Sequence, residues 1–279
     1  MPRLLPAALL ALSLAPIACA NAMNDPAIDA VPAPDATPDQ ALPDPPKPAL
    51  WLLVNDTAAA TNELYRVEPL TFAVQGHVDL HYAGALWELA GSTSTRAYAI
   101  DRDLDLLVAI DLEAGAITST VHLAGDMKQN GRGFGIAPDG TLWGIFSGSL
   151  AQIDPGTGAL SHSVTLQYGL AAESLDTCGG QLYMASRESG SPRGEKLYAV
   201  DRAAGTAMLR GMIGTTAIDI DTLACSSGAL YGLDTDPTIG KMLYRIDTAT
   251  GGATVANQLA VIGDVNGVHA TPPPELVIE

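Results

Sequence analysis

Beyond Ala49 the apolar residues fall in short runs, each closed by an acid, a glycine or a tight-turn sequence. The last repeat shows the order most clearly. DIDTLAC at Asp219–Cys225, ALYGLD at Ala229–Asp234, MLYRID at Met242–Asp247 and ATVANQL at Ala253–Leu259 read as inner, second, third and outer strands of one sheet. The turn TATG follows Asp247 and supplies a glycine that tolerates positive φ. The same order recurs upstream. Second strands centre on Trp51, Tyr98, Trp143, Tyr183 and Tyr231, and third strands carry Leu64, Leu107, Leu150, Leu197 and Leu243. Three residues after each of these leucines stands Val67, Ile110, Ile153, Val200 or Ile246. Positions three apart on a strand face opposite ways, so both faces of every sheet must be buried. No stretch beyond the N-terminus keeps the i, i+3, i+4, i+7 period of a helix.

The third strand belongs to a phrase that returns five times: ELYRVEP, LLVAIDLEAG, SLAQIDPGTG, KLYAVDRAAG and MLYRIDTATG. Its acids, Glu68, Asp111, Asp154, Asp201 and Asp247, are spaced 43, 43, 47 and 46 residues apart. A period of this length built from short strands predicts an all-β fold, a β-propeller of five four-stranded blades. The first repeat opens on a second strand, ALWLLVND, and lacks an inner one, whereas DVNGVHAT at Asp264–Thr271 resembles an inner strand. The C-terminal strand is therefore expected to complete the N-terminal blade and close the ring, which removes open sheet edges. The tail from Pro272 has no assigned place. Each of the five acids precedes a turn, where a carboxylate accepts from backbone N–H groups two or three residues on. That structural role is expected of them, not a metal or catalytic ring.

The N-terminus changes the picture from fold to compartment. Arg3 precedes an apolar run from Leu4 to Ala18 that is short for a membrane span, and small residues follow, so residues 1–20 read as a secretory signal. Cleavage after Ala20 fits, with a second option after Ala22. Ile17-Ala18-Cys19 also resembles the end of a bacterial lipobox, with Cys19 as the lipid-bearing residue, although Pro16 stands where Leu is usual. Residues 21–48 alternate Asp and Pro with Ala and are expected to be a disordered linker, leaving 49–279 as the propeller. The expected location is secreted, periplasmic or cell-envelope.

A formal charge of −17 argues against nucleic acid and against anionic membrane surfaces, so any membrane contact would run through the lipid anchor. The chain is expected to be a monomer whose partner is an unidentified protein or glycan. An oxidising compartment permits a bridge between Cys178 and Cys225, which occupy similar places in consecutive repeats. Equal positions in neighbouring blades can lie beyond the usual Cα separation, so two thiols are the expected state and a disulfide the alternative.

The LY-x-ID-x-x-TG phrases resemble secreted bacterial propellers of the YVTN, NHL and quinoprotein-like kind, over Ala49 to about Thr271. APDGTLWGI followed by LAQIDPGTG is similar to virginiamycin-lyase or NHL repeats. The resemblance implies a fold and no single function. The Trp that quinoprotein dehydrogenases place after TG is missing here, so no pyrroloquinoline quinone is implied. No G-x-S-x-G, H-E-x-x-H, C-x-x-C or P-loop pattern occurs, and Gly131–Gly135 is read as a close-packed lead-in to an inner strand.

Propellers bind ligands at the mouth of the central channel. Inner strands aligned on Leu89, Ile136, Leu175, Leu223 and Val268 place Trp87, Phe134, Glu173, Asp221 and Asn266 two residues earlier, as a candidate ligand-binding ring. Glu173, Asp221 and Asn266 are hard oxygen ligands of the type that suits Ca²⁺. This set resembles the metal site of gluconolactonase and senescence-marker-type propellers, which are hydrolases with six blades. The five histidines show no ligand spacing; His122 and His162 are expected at solvated edges, and His269 as a satisfied structural histidine. The leading expectation is a binding or scaffold module on a flexible tether, with no catalytic residues. The alternative is a Ca²⁺-dependent hydrolase of the lactonase type.

Overall fold

The computed structural model describes residues 49–270, except 57–60, 92–94, 125–132, 147, 167–170, 188–194, 215–217, 236–239, 260 and 262–263. The signal, Cys19, the linker and the tail beyond 270 lie outside the described residues. The chain divides into a unit over Met1–Pro43 and a unit over Asp44–Glu279, and the second carries every described strand.

The first blade starts with β1 (Leu50–Asp56), β2 (Thr61–Val67) and β3 (Val74–Asp79). The second is β4 (Leu86–Gly91), β5 (Arg96–Asp101), β6 (Leu106–Asp111) and β7 (Ala116–His122). The third is β8 (Phe134–Ile136), β9 (Leu142–Phe146), β10 (Ser149–Ile153) and β11 (Leu160–Thr165). The fourth is β12 (Ala171–Cys178), β13 (Gln181–Arg187), β14 (Glu195–Asp201) and β15 (Thr206–Met212). The fifth is β16 (Thr222–Ser226), β17 (Ala229–Asp234), β18 (Met242–Ile246) and β19 (Ala253–Gln258). The last strand, β20 (Asp264–Ala270), pairs antiparallel with β1, from Leu50 opposite Ala270 to Asn55 opposite Asp264. The first sheet therefore runs β20-β1-β2-β3, and five four-stranded antiparallel blades form a closed β-propeller. Neighbouring inner strands touch in turn around the ring: β20 with β4, β4 with β8, β8 with β12, β12 with β16, and β16 with β20. The inner strand of the fifth blade begins at Thr222, later than the Asp219 read from sequence, because Asp219 donates its N–H to the Asp234 carboxylate instead of a strand partner.

The paired aliphatic residues of the third strands account for this architecture. Leu64 lies in the core between the first and second blades, with Leu86, Val108 and Ile110, while Val67 lies between the first and fifth, with Leu243 and Val268. Leu107 and Ile110 divide between two cores in the same way, as do Leu150 and Ile153, Leu197 and Val200, and Leu243 and Ile246. Each inter-blade wedge is thus filled from both sides by aliphatic side chains, and no blade hides its apolar faces without two neighbours.

The repeated acids cap their turns. Asp111 Oδ1 accepts from Glu113 N (3.0 Å) and Ala114 N (2.9 Å), and Asp201 Oδ1 from Ala203 N (2.9 Å) and Ala204 N (3.1 Å). Asp247 Oδ1 accepts from Ala249 N (2.8 Å) and Thr250 N (3.1 Å), and Asp154 Oδ1 from Gly156 N (2.8 Å). Glu68 reaches Leu70 N (3.0 Å) and Thr71 N with its longer side chain. Hydrogen bonds from these turns hold the Glu68 and Asp154 carboxyls below their usual range. The turn glycine is required where it meets the next blade. Gly158 has φ +71°, and a Cβ there would lie 1.8 Å from the His122 carbonyl oxygen. Gly135 is likewise close-packed, since its Cβ would sit 2.6 Å from Leu175 O. His122 and His162 are exposed on the outer strands β7 and β11. His269 departs from expectation: it is buried over Gly91, its Nε2 has no hydrogen-bond partner among the described residues, and burial pushes it down to about 4.

The fourth and fifth blades are also joined covalently. Cys178 and Cys225 form a disulfide, with Cα atoms 5.2 Å apart, which overturns the expectation of two thiols. β12 and β16 are adjacent inner strands, which brings Cys178 at the end of β12 and Cys225 one residue before the end of β16 within bridging range. Beside the bridge, Asp176 accepts a hydrogen bond from Cys225 N at 2.6 Å, and burial pushes its carboxyl up to about 7. Between roughly pH 4 and 7 the folded protein therefore holds a proton that the unfolded chain has lost, and this contribution to stability declines as pH rises through 7. His269 works the other way, contributing stability that declines as pH falls from 6.5 toward 4. Asp176→Asn keeps an acceptor for Cys225 N–H and removes the titration. Its melting temperature is expected to gain on the wild type as pH is raised from 5 to 8; a constant difference between the two curves would contradict the assignment.

Candidate functional site

The channel mouth holds a cavity of about 60 Å³ lined by Trp87, Glu88, Arg102, Glu173, Asp221, Thr235, Val265 and Asn266. Four blades contribute. Trp87 and Glu88 stand on β4, Glu173 on β12, Asn266 on β20, and Asp221 just before β16. Four of the five residues expected in the ring are thus brought together.

β-Bulges place Trp87, Glu173 and Asn266, whereas Asp221 precedes β16, which pairs with β17 without a break. In β4 the register jumps between Trp87, opposite Ile100, and Ala90, opposite Tyr98. In β12, Ala172 and Ser174 oppose Ser186 and Ala185, so Glu173 is the extra residue of a bulge. In β20, Val265 and Gly267 oppose Val54 and Leu53, leaving Asn266 unpaired. A bulge inserts one extra residue and re-aims its side chain. β8 pairs without a break from Phe134 opposite Gly144 to Ile136 opposite Leu142. Phe134 therefore keeps to the face of Ile136 and is buried in the core between the second and third blades, outside the cavity. Its place in the ring is corrected on that ground.

Sequence reasoning missed Glu88, Arg102 and Thr235. Glu88 has φ +54°, a left-handed conformation that non-glycine residues adopt at a cost of order 1–3 kcal/mol. Its carboxyl is buried, takes a hydrogen bond from Ser174 Oγ at 3.3 Å, and is pushed well above the usual carboxylate range, first by burial. Ser174 Oγ in turn accepts from Leu223 N at 2.9 Å, which ties the fourth and fifth blades to the site. Asp221 Oδ2 accepts from Thr235 N (3.0 Å) and from Thr235 Oγ1, and burial raises its carboxyl too. Asn266 Nδ2 donates to Leu86 O at 3.3 Å. The Arg102 guanidinium lies over the Trp87 ring, 4.7 Å from its centroid, and Trp87 keeps 38% of its surface exposed. No periodic signal in the sequence marks the bulge that carries Glu88. The positions of Arg102 and Thr235, directly after second strands β5 and β17, are a signal that an alignment of those strand ends could have used.

Glu173, Asp221 and Asn266 line one small cavity, and Asp221 Oδ2 is already committed to Thr235. Among the described residues no group of three or more His, Cys, Asp or Glu is arranged to hold a metal ion. A larger groove of about 830 Å³ lies on the rim between the third and fourth blades. There Arg202 covers Trp143 at 5.4 Å and is held by Asp139 at 2.9 Å. That groove is open and its charged pair is already satisfied, whereas the mouth gathers polar groups from four blades around one point, the usual mark of a ligand site.

No family model matches the chain, and no curated protein matches it. Solved structures do. The chain is similar to one in the crystal structure of a nidogen/laminin complex, at 12% identity and a TM-score of 0.50, over 80% of this chain and 98% of that one. It is also similar to a Bacteroides caccae protein of unknown function, at 13% identity and a TM-score of 0.47, over 81% and 99%. Kuenenia stuttgartiensis hydrazine synthase is a third, at 16% identity and a TM-score of 0.42, over 79% and 68%. At these identities the likeness is one of fold alone.

Proposed function

We propose that this protein is an extracytoplasmic binding or scaffold module that recognises its partner, a protein or a glycan, at the face surrounding the channel mouth. The observation that carries the reading is the mouth itself: an exposed Trp87 beside a small polar cavity to which four blades contribute, three of them through bulges. A ring closed by β20 holds these groups rigidly, which suits recognition by preorganised side chains. The export signal, residues 21–48 as a spacer, and Cys19 as a lipid attachment point belong to the same proposal, as does kinship with the secreted bacterial propellers whose repeat phrases the sequence resembles. Panels of envelope glycans and of peptides, presented to the wild type and to Trp87→Ala, test it. Binding to at least one class, lost in the variant, is expected. Calcium-dependent hydrolysis of lactones, with a melting temperature raised by Ca²⁺ and lowered by chelator, would overturn it in favour of the hydrolase.

A further inference from the structure

The groove between the third and fourth blades measures about 830 Å³, against about 430 and 390 Å³ for two smaller grooves. Aliphatic side chains of Val164, Leu182 and Val200 line it, together with Met208, which keeps 57% of its surface exposed. Neither smaller groove has an exposed large apolar side chain among the described residues of its lining. Met208 belongs to β15, the outer strand of the fourth blade, where Leu209 and Met212 are exposed as well. Apolar surface gathered in one place marks a site of contact.

The groove begins at the end of the ring where the chain leaves β20. Gly180 and Gln181 of its lining stand just past Cys178, the last residue of β12, and Ala270 is the last residue of β20. The inner strands follow one another in equal steps: Ser174 Oγ accepts from Leu223 N between β12 and β16, and Thr222 Oγ1 accepts from Val268 N between β16 and β20. Ala270 and Gly180 are thus two steps apart at one end of the channel. Packed sheets lie about 10 Å apart, so the gap is about 20 Å, whereas nine extended residues reach about 30 Å. Beyond Ala270 the sequence reads TPPPELVIE. Pro272, Pro273 and Pro274 have no N–H to extend the β20 ladder, and proline runs favour a stiff spacer of about 3.1 Å per residue. Six residues at that rise cover about 19 Å, which brings Leu276, Val277 and Ile278 to the groove.

We propose that residues 271–279 fold back across this end of the ring and dock in the groove, with Leu276 and Ile278, which share one side of an extended segment, against Val164, Leu182 and Met208. The segment is then a second latch on the propeller, running from the first blade to the third and fourth, and a partner takes this surface only by displacing it. The inference is independent of the reading of the channel mouth, which lies at the other end of the inner strands. Methyl NMR of the full chain, with ¹³C-labelled methionines and Met208 assigned through Met208→Leu, tests it against a chain ending at Ala270. Removal of residues 271–279 is expected to shift the Met208 methyl signal, and the peptide TPPPELVIE added to the shortened chain is expected to restore it. Leu276→Asp with Ile278→Asp in the full chain is expected to reproduce the shortened chain's spectrum. Both positions lie outside the described strands, so this variant reads docking even if the shortened chain does not fold. The same two changes in the peptide are expected to weaken its binding by about tenfold. A Met208 signal unmoved by truncation and by the double variant, or a response confined to other methionines, would overturn the proposal. A full chain that sediments as a dimer, with the shortened chain a monomer, would overturn it too, because the segment would then dock on a second copy.

Discussion

Truncation before Asp264 is expected to leave a chain that no longer unfolds cooperatively as a monomer. β20 is the inner strand of the first blade, and its loss strips β1 of a full ladder of hydrogen bonds. It also removes Val265 and Val268, buried at 1% and 2% exposure in the core between the first and fifth blades. Burying a valine is worth roughly 1.5–3 kcal/mol, and the newly bared edge of β1 adds a template for wrong pairing. The combined loss of several kcal/mol compares with a total stability of about 5–15 kcal/mol for a domain. A subtler version keeps the chain length. Gly267→Val would place a Cβ 2.5 Å from the Glu88 carbonyl carbon and 2.6 Å from Leu89 N, both backbone atoms that cannot step aside. Thermal unfolding followed by circular dichroism, with size-exclusion chromatography, checks both. A truncated chain that stays monomeric and melts within a few degrees of the wild type would show that the ring does not depend on β20.

Loss of the Cys178–Cys225 bridge is expected to have the second largest effect. The bond closes a span of 47 residues between inner strands of adjacent blades. On the chain-entropy account, closing a loop of this length restricts the unfolded state by about 4 kcal/mol, within a usual range of roughly 2–4 kcal/mol. For a domain of this size each kcal/mol moves the melting temperature by about 2–4 °C. Cys178→Ser with Cys225→Ser is therefore expected to melt some degrees to over ten degrees lower, roughly, with the β-sheet signal intact at room temperature. The hydrogen bond from Cys225 N to Asp176 persists in the double variant, because it uses backbone on one side. Reductant should lower the wild type to the level of the variant and leave the variant itself unmoved. Equal melting of the oxidised and reduced wild type would deny the bridge any part in stability.

The ring and the site were legible to different degrees. Third-strand aliphatics three residues apart, such as Leu64 with Val67 and Leu197 with Val200, force two buried faces per sheet, and the structure divides each pair between two inter-blade cores. The inner-strand pattern of DVNGVHAT, set against a first repeat that lacks one, foretold the pairing of β20 with β1. The turn-capping role of Asp111, Asp201 and Asp247 followed from their place before a tight turn, because that chemistry reaches only two or three residues along the chain.

The sequence by itself determined whatever depends on period and on neighbours in the chain: strand order, blade number, capped turns and closure. Only the tertiary structure decided which side chains face the channel. A strand read at period two assigns faces by parity, and a bulge changes parity without leaving a mark in composition. Glu173 and Asn266 meet at the mouth because their strands bulge there, whereas Phe134, at the equivalent position of an unbroken strand, turns into the core. The same limit hid Glu88, whose left-handed backbone sits inside the bulge of β4. It hid the disulfide as well, since the distance between equal positions of two blades is set by how tightly the inner strands converge, a property of the closed ring and of no single repeat.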